Sequence, residues 1–151
     1  MILAEKPAEL IAPVLRRERL EDEVALEQMY LEFDPKGASL GLPPRGDPAP
    51  WVHSLSDSPN FILEVDGRIV GHSVLCPEGT SGEVAVFVHQ DFRGRGMGKM
   101  LLTEVIAEAR RLGLKRIWGI TEPDNLPMLR LAHSVGFRSG ADLSEFHLNL
   151  T

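Results

Sequence analysis

The chain has 151 residues, of which 43% are hydrophobic and 25% charged. This composition is typical of one globular domain with a sizeable core rather than of a disordered chain. The longest wholly apolar run, Val84–Val88, is far shorter than the ~20 residues of a membrane helix. Cys76 is the only cysteine, which excludes an internal disulfide and a cysteine-based zinc site. No basic region precedes an apolar one at the start, so we expect a cytoplasmic protein, one domain over residues 1–151, with no membrane partner and no metal.

The net charge is −6, from 22 acidic and 16 basic residues. Proteins that bind nucleic acid usually carry the opposite charge, so we expect no nucleic-acid partner. Positive charge is nevertheless concentrated in one glycine-rich stretch that contains Arg93, Arg95 and Lys99.

The first part of the chain predicts a strand at Val14–Arg17 and an amphipathic helix over Glu21–Phe33, while the role of residues 1–13 stays open. The Pro35–Pro50 segment contains five prolines and three glycines, which exclude a long helix or strand. Its length exceeds the ~12–15 residues above which loops are usually functional or disordered. It is therefore either a mobile surface loop or a lid over a substrate groove. A short helix is predicted at Trp51–Leu55.

Three strands are predicted next. Phe61–Val65 and Ile69–Leu75 flank Asp66-Gly67-Arg68, and Asp-Gly between apolar runs predicts a β-hairpin. After a connection at Pro77–Gly82, the nearly continuous apolar run of Glu83–Val88 predicts a strand buried on both faces.

The remainder predicts an alternation of helices and strands. One helix, ending at Gly113, carries an apolar stripe formed by Leu101, Leu102, Val105, Ile106, Ala109 and Leu112. A strand at Lys115–Ile120 follows. A second helix starts at Asn125 as N-cap, has Pro127 in its first turn and ends at Gly136, and a last strand covers Glu145–Leu150. The predicted fold class is mixed α/β.

The stretch Arg93-Gly94-Arg95-Gly96-Met97-Gly98-Lys99 connects a predicted buried strand to a predicted helix. Glycines let a backbone approach a ligand, and free N–H groups at a helix start attract anions, so a phosphate or pyrophosphate fits here. The alternative is a tight turn with solvated basic side chains. The ATP-binding P-loop pattern fails because positions 93 and 100 are Arg and Met, and the dinucleotide pattern fails because position 99 is Lys.

Arg93, Gly96 and Gly98 do match the pattern [QR]-x-x-G-x-[GA]. With it, the run Glu83–Phe137 resembles the GNAT superfamily of N-acetyltransferases, whose second motif is similar to Asn125-x-x-Met128-x-x-Leu131. The resemblance covers about the last 90 residues. It implies a twisted, mostly antiparallel sheet of six to seven strands flanked by about four helices.

The resemblance also implies a site for acetyl-CoA as acyl donor. Backbone groups of Val86, Phe87 and Val88 would hold the pantetheine arm where this strand splays from its neighbour at a bulge, and would polarise the thioester carbonyl. The pyrophosphate would lie against the amides of Arg93, Gly94, Arg95, Gly96, Met97, Gly98 and Lys99. Asn125 would contact the cofactor, serve as an N-cap, or do both.

The acceptor amine must lose a proton before it attacks, and Glu83 is the first candidate for the general base. Its position resembles that of a glutamate in bacterial protein-lysine acetyltransferases; the alternative is a solvated charge at a strand end. Glu122 is the second candidate, and His72 and His133 come third.

Ala132 stands where many family members have a tyrosine that protonates the leaving thiolate. His133, Ser134 or water would then take that role, or the thiolate would leave without an acid. Cys76 could carry an acyl group, although a buried structural thiol fits it better.

The expected function is acetyl-CoA-dependent N-acetylation of a primary amine, on a small molecule or on a protein lysine, and the segment around Ala132 favours lysine slightly. The alternative is a non-catalytic acyl-CoA sensor or interaction module. A nucleotide-phosphate binder is disfavoured by the failed patterns. Exposed strand edges would allow a homodimer.

Overall fold

The computed structural model describes residues 12–142 and 144–151, so most of the leader of unassigned role lies outside the described residues. Seven strands form one sheet in the order β1-β2-β3-β4-β5-β7-β6. The strands are β1 (Val14–Arg17), β2 (Asn60–Val65), β3 (Arg68–Glu78), β4 (Ser81–Val88), β5 (Arg116–Ile120), β6 (Arg138–Ser139) and β7 (Glu145–Asn149). Every described strand pair is antiparallel except β4 with β5, which is parallel.

Four α-helices flank the sheet: α1 (Glu23–Glu32), α2 (Ala49–Ser54), α3 (Met97–Arg111) and α4 (Leu126–Ser134). Short 3-10 turns precede α1 at Leu20–Asp22 and α3 at Gln90–Phe92. The mixed α/β class, the mostly antiparallel sheet and the number of helices are confirmed.

The two faces of the sheet are covered by different helices. The stripe of α3 packs on one face with side chains that include Val70, Val84 and Ile117. On the other face α1 and α2 pack through a separate cluster, which consists of Leu26, Met29, Tyr30, Phe33, Val52, Ile62, Ile69 and Phe87. Strand β4 contributes to both clusters because successive side chains of a strand point to opposite faces.

The β2–β3 hairpin is confirmed. Asp66 and Gly67 both have positive φ, 52° and 74°, as a two-residue turn of the I′ type requires. The predicted connection at Pro77–Gly82 was wrong, because β3 and β4 form a second hairpin that turns only at Gly79-Thr80. Residue pairs of an antiparallel hairpin alternate between those that are hydrogen-bonded and those that are not. The bond from His89 N–H to Val70 O, 2.8 Å, shows that His89 and Val70 are a hydrogen-bonded pair, so by the register Pro77 and Gly82 are not. Pro77 is therefore tolerated, because its position needs no backbone N–H.

Other boundaries differ by small amounts with local causes. The predicted helix over Glu21–Phe33 begins with the 3-10 turn, because the backbone N–H of Arg19 and the guanidinium of Arg16 both bind the Asp22 carboxylate. Val24, an apolar residue of this predicted amphipathic helix, is 76% exposed rather than part of a buried face. Helix α2 starts at Ala49 rather than Trp51, since proline is well accommodated in the first turn of a helix. Strand β6 was not predicted; it has only two residues.

Candidate active site

The parallel pairing of β4 and β5 is short. Ser81–Glu83 pairs with Arg116–Trp118, whereas β4 continues to Val88. The two strands therefore separate beyond Glu83, as expected. The expected bulge is not present in the pairing of β4 with β3, which runs without a register shift from Ser81 to Val88.

The register decides which backbone groups of β4 face the gap between β4 and β5. His89 N–H donates to Val70 O, and hydrogen-bonded pairs alternate along the two strands. Phe87 is therefore hydrogen-bonded to His72, whereas Val86 and Val88, on either side of Phe87, point their N–H and C=O groups away from β3. Of the three residues expected to offer backbone groups, Val86 and Val88 face the gap. Phe87 contributes its side chain instead.

The glycines of the connection between β4 and α3 serve two purposes. Gly94 and Gly96 have φ of 75° and 82°, which favours glycine for conformational reasons. Gly98 lets α3 approach α4 closely, because a Cβ there would lie 2.9 Å from Leu131 Cδ2 and the Leu131 side chain would have to move. Gly96 is the N-cap of α3 and supplies no side-chain acceptor, and the first turn of α3 has no acidic residue. The first N–H groups of this helix therefore remain available to an anion.

The basic residues of this stretch point in different directions. Arg93 Nε donates to the carbonyl oxygen of Val88 at 2.8 Å, and the guanidinium carbon lies 4.9 Å from the centre of the Phe33 ring. Partial burial lowers the pKa of Arg93, although the group stays charged at neutral pH. The Arg95 guanidinium lies 5.7 Å from the Phe92 ring, and Lys99 is exposed.

One cavity of about 950 Å³ collects most of these residues. From the predicted cofactor site its wall includes Val86, Phe87, Val88, Arg93, Gly94, Gly96, Met97, Gly98, Lys99 and Asn125, but not Arg95. The Pro35–Pro50 segment contributes Pro35, Gly37, Ala38, Ser39, Leu42, Pro43 and Arg45. Further wall residues are Phe33, Phe92, Glu122, Asp124, Pro127, Met128, Arg130 and Leu131. The prediction that β4 is buried on both faces was wrong, because Val86 and Val88 are partly exposed to this cavity.

Asn125 is an N-cap, as predicted. Its Oδ1 accepts from Met128 N–H at 3.4 Å, and its Nδ2 donates to Thr121 Oγ1 at 2.9 Å. Because both polar groups of the side chain have protein partners, Asn125 primarily positions the start of α4 at the cavity wall.

The carboxylates considered as bases lie in different places. Glu83 is exposed, lies outside the cavity wall and shares a strand face with Ala85 and Phe87. Partial burial raises the pKa of Glu83 above its usual value. Glu122 lies on the cavity wall.

The segment around Ala132 offers few groups to the cavity. Ala132 is 0% exposed and belongs to the core under α3, so the position of the family tyrosine does not open onto the cavity. His133 Nε2 is 2.9 Å from Ser139 Oγ, and Ser134 Oγ donates to Leu131 O. None of these three residues lines the cavity.

His72 has a structural role. Asn60 Nδ2 donates to Leu55 O and Ser58 O, so its Oδ1 accepts from His72 Nε2 at 2.7 Å. The other ring nitrogen, Nδ1, then accepts from the Tyr30 hydroxyl at 2.5 Å. Burial lowers the pKa of His72 to about 3. A neutral, fully paired and buried imidazole cannot serve as the base, so this assignment was wrong.

Sequence reasoning missed Phe33 and Arg45 as cavity residues. Neither belongs to a motif, since Phe33 ends a helix and Arg45 lies in a segment without periodicity. The compact form of that segment depends on backbone bonds that its composition does not reveal, from Gly37 N–H to Pro43 O at 2.8 Å and from Ser39 N–H to Leu42 O at 3.0 Å.

Within residues 12–142 and 144–151, no group of three or more acidic, histidine or cysteine side chains is arranged to hold a metal ion. In the same part of the chain, no helix is both long and apolar enough to cross a membrane.

Comparison with known proteins identifies the family to which the chain belongs. A family model described as "Acetyltransferase (GNAT) family" matches residues 23–137. An L-methionine sulfoximine/L-methionine sulfone acetyltransferase from Salmonella typhimurium is 38% identical over 63 residues, which cover 42% of this chain and 37% of that protein. The L-amino acid N-acyltransferase MnaT from Escherichia coli is 40% identical over 55 residues, 36% of this chain and 32% of that protein. The matches thus span about a third of these relatives' length.

Among solved structures, the acetyltransferase yncA from Salmonella typhimurium, determined with acetyl-CoA, superposes with a TM-score of 0.78 at 22% identity. The superposition covers 93% of this chain and 95% of yncA, which shows a shared fold. Since the family model covers most of the chain, this chain belongs to the GNAT family of acetyltransferases.

Proposed function

We propose that this chain, as one domain over residues 1–151, transfers an acetyl group from acetyl-CoA to the primary amine of a small molecule. One observation carries the proposal: a single cavity joins the unpaired edge of β4, the N-terminus of α3 and the Pro35–Pro50 segment. A cavity of this size is sufficient for a cofactor arm and a small acceptor together.

The residues at one end of the cavity fit acetyl-CoA. The free N–H groups at the start of α3, with Lys99 beside them on the wall, would hold the pyrophosphate. The outward N–H and C=O groups of Val86 and the outward N–H of Val88 would pair with the amides of the pantetheine arm, while the Val88 carbonyl accepts from Arg93 Nε. A backbone N–H at the thioester oxygen would contribute ~3 kcal/mol to catalysis. The thioester, when bound, supplies the acetyl group.

In the proposed reaction, the amine nitrogen forms a bond to the acetyl carbon and the carbon–sulfur bond breaks. The proton that the amine loses ends on the CoA sulfur or in water. We propose Glu83 as the base that first deprotonates the ammonium. Glu83 is three residues, roughly 10 Å, from Val86 along β4, so it acts through intervening water rather than by direct contact. Glu122, which lies on the wall, is the competing candidate.

The names of the relatives support a small-molecule acceptor. The Salmonella and Escherichia coli proteins are named for acceptors that are amino acids or their analogues. This supports a small amine over the protein lysine that the sequence favoured slightly. A homodimer stays a prediction, which analytical ultracentrifugation tests.

Two measurements on the full chain test the function. The first is thermal melting with acetyl-CoA, CoA, ATP and NAD. A ligand at 100 times its Kd adds ~2.7 kcal/mol to the free energy of unfolding, and we expect this stabilisation only from acetyl-CoA and CoA. Release of CoA is then followed with amino acids, other small amines and lysine peptides. Stabilisation without any CoA release would identify a sensor instead. Fastest turnover of lysine peptides would identify a protein acetyltransferase.

A further inference from the structure

The part of the cavity wall that belongs to Phe33 and the Pro35–Pro50 segment is almost uncharged. Of its eight residues, seven carry no ionisable side chain, and Ser39 is the only neutral polar one among them. Arg45 is the exception. Beside these residues, the Arg93 guanidinium lies 4.9 Å from the centre of the Phe33 ring. Positive charge on an otherwise apolar wall favours a ligand that carries a negative charge.

The guanidinium of Arg45 lies against the backbone of Gly37, where the absence of a side chain leaves room for it. A Cβ built on Gly37 would lie 2.7 Å from Arg45 Nε and 3.3 Å from Nη2. The segment folds back on itself through the bond from Gly37 N–H to Pro43 O, 2.8 Å, which brings the two residues together. The exposed Arg45 side chain is thereby brought to the cavity wall.

Arg45 also lacks an acidic partner. Among the residues that the structure describes, no carboxylate oxygen lies within 4.0 Å of its guanidinium. By contrast, at least one carboxylate partner is present for Arg16, Arg17, Arg68, Arg111 and Arg116. A guanidinium presents a planar fork of donors that matches the two oxygens of a carboxylate.

From these observations we infer that Arg45 binds the carboxylate of the acceptor, so that the substrate is a small amine that also carries a carboxylate, as a free amino acid does. The inference rests on the proposed function for the identity of the site. It assigns to the Pro35–Pro50 segment a direct role in choosing the substrate, beyond covering it. Arg45 is a specificity residue and takes no part in the transfer of the acetyl group.

The test compares amino acids with their carboxamides, which keep the amine and the side chain but remove the negative charge. L-methionine, L-phenylalanine and L-leucine are each paired with the corresponding amide, and kcat/KM is measured by CoA release. We expect the wild-type chain to prefer the free acids. In Arg45→Ala, kcat/KM for the acids falls about 10- to 100-fold while that for the amides changes little, and the KM for acetyl-CoA is unchanged.

Two further variants control for indirect effects. Gly37→Ala displaces the guanidinium without removing it, so we expect a folded chain to lose the same preference in the same direction. Because φ at Gly37 is 73°, alanine also strains the backbone there, and the Tm of this variant is measured beside its kinetics. Arg130→Ala removes another cation of the cavity wall, on α4, and is expected to leave the ratio of acid to amide unchanged. A folded Arg45→Ala chain that keeps the wild-type ratio, or one in which only the KM for acetyl-CoA rises, overturns the inference.

A binding measurement separates this inference from the proposed function. Thermal melting is repeated with each acid and each amide in the presence of CoA, which requires no turnover. If the acids stabilise the wild-type chain but not Arg45→Ala, and no chain releases CoA, the carboxylate site is supported and the acetyltransferase activity is contradicted. If amines are acetylated with no preference for the acids, the acetyltransferase activity is supported and the carboxylate site is contradicted. Neither stabilisation nor turnover across the panel overturns both.

Discussion

Arg93, the first residue of the glycine-rich connection, donates from Nε to the carbonyl oxygen of Val88, the last residue of β4, at 2.8 Å. The same guanidinium lies over the ring of Phe33, just before the Pro35–Pro50 segment. One side chain thus connects the proposed cofactor loop both to the strand before it and to the opposite wall of the cavity. The family motif requires Arg or Gln at this position, and the structure indicates that here its role is to hold the loop in shape.

Replacement of Arg93 by Ala removes both contacts. We expect the free energy of unfolding to fall by about 1–2 kcal/mol and the KM for acetyl-CoA to rise, because the loop loses its connection to β4. Urea unfolding and steady-state kinetics measure the two effects. Arg95→Ala is the matched control: Arg95 is exposed and its guanidinium lies 5.7 Å from the centre of the Phe92 ring, so a change in stability as large as that of Arg93→Ala would contradict this account.

Gly98 and Gly96 should respond differently to substitution. In Gly98→Ala the new Cβ meets Leu131 Cδ2 at 2.9 Å, and the overpacking is expected to cost about 1–3 kcal/mol. Leu131→Ala in the same chain should restore part of that loss, as a double-mutant cycle would show. Gly96→Ala meets no atom within 4 Å, so its cost is conformational, about 1–2 kcal/mol, and Leu131→Ala should not relieve it. Equal relief of both variants would refute the distinction.

Glu83→Gln tests the proposed base. We expect kcat/KM to fall by about 10²- to 10⁴-fold with little change in the KM for acetyl-CoA. Because partial burial raises the pKa of Glu83, wild-type activity should increase with pH as this carboxyl loses its proton, at a pH above its usual value of 4.5. The variant should lose that acidic limb. Glu122→Gln should keep it; if instead Glu122→Gln loses the limb and Glu83→Gln retains it, the roles are reversed.

The buried pair of Tyr30 and His72 makes stability depend on pH. The pKa of His72 is lowered by burial from 6.5 to about 3 in the folded chain, so between these values the unfolded chain binds the extra proton. The contribution to stability is therefore full above pH 6.5 and decreases as the pH falls towards 3. His72→Gln should lower the Tm at pH 7.5, because the Tyr30 hydroxyl loses its partner, and should flatten the decrease in Tm between pH 6.5 and pH 4.

The exposed His133 provides the control for this measurement. His133→Gln changes the same residue type outside the core, where the ring contacts the neutral Ser139 hydroxyl rather than a carboxylate, so we expect it to leave the slope of Tm against pH close to that of wild type. A His72→Gln chain whose Tm still decreases with falling pH as steeply as wild type would show that other groups cause the acid sensitivity.

Patterns in the sequence predicted the fold class, the glycine-rich connection, the glycine that follows α3 and the N-cap of α4. These features depend on contacts between neighbouring residues, on glycine conformation and on hydrophobic periodicity, all of which are local. The hairpin around Asp66-Gly67, the Asn125 N-cap and the stripe of α3 were therefore predicted correctly, except for Leu112, which is 44% exposed. The hairpin at Gly79-Thr80 was missed because Pro77 argues against a strand unless the register of its partner is known.

Contacts between residues that are distant in the sequence could be read only from the folded chain. The register of β3 on β4 turned Val86 and Val88 towards the gap and Phe87 away from it, and burial made His72 a structural residue. Only the folded Pro35–Pro50 segment placed Arg45 over Gly37, eight positions away in the sequence. These relationships depend on pairing and packing between distant parts of the chain, which no local pattern of residues encodes.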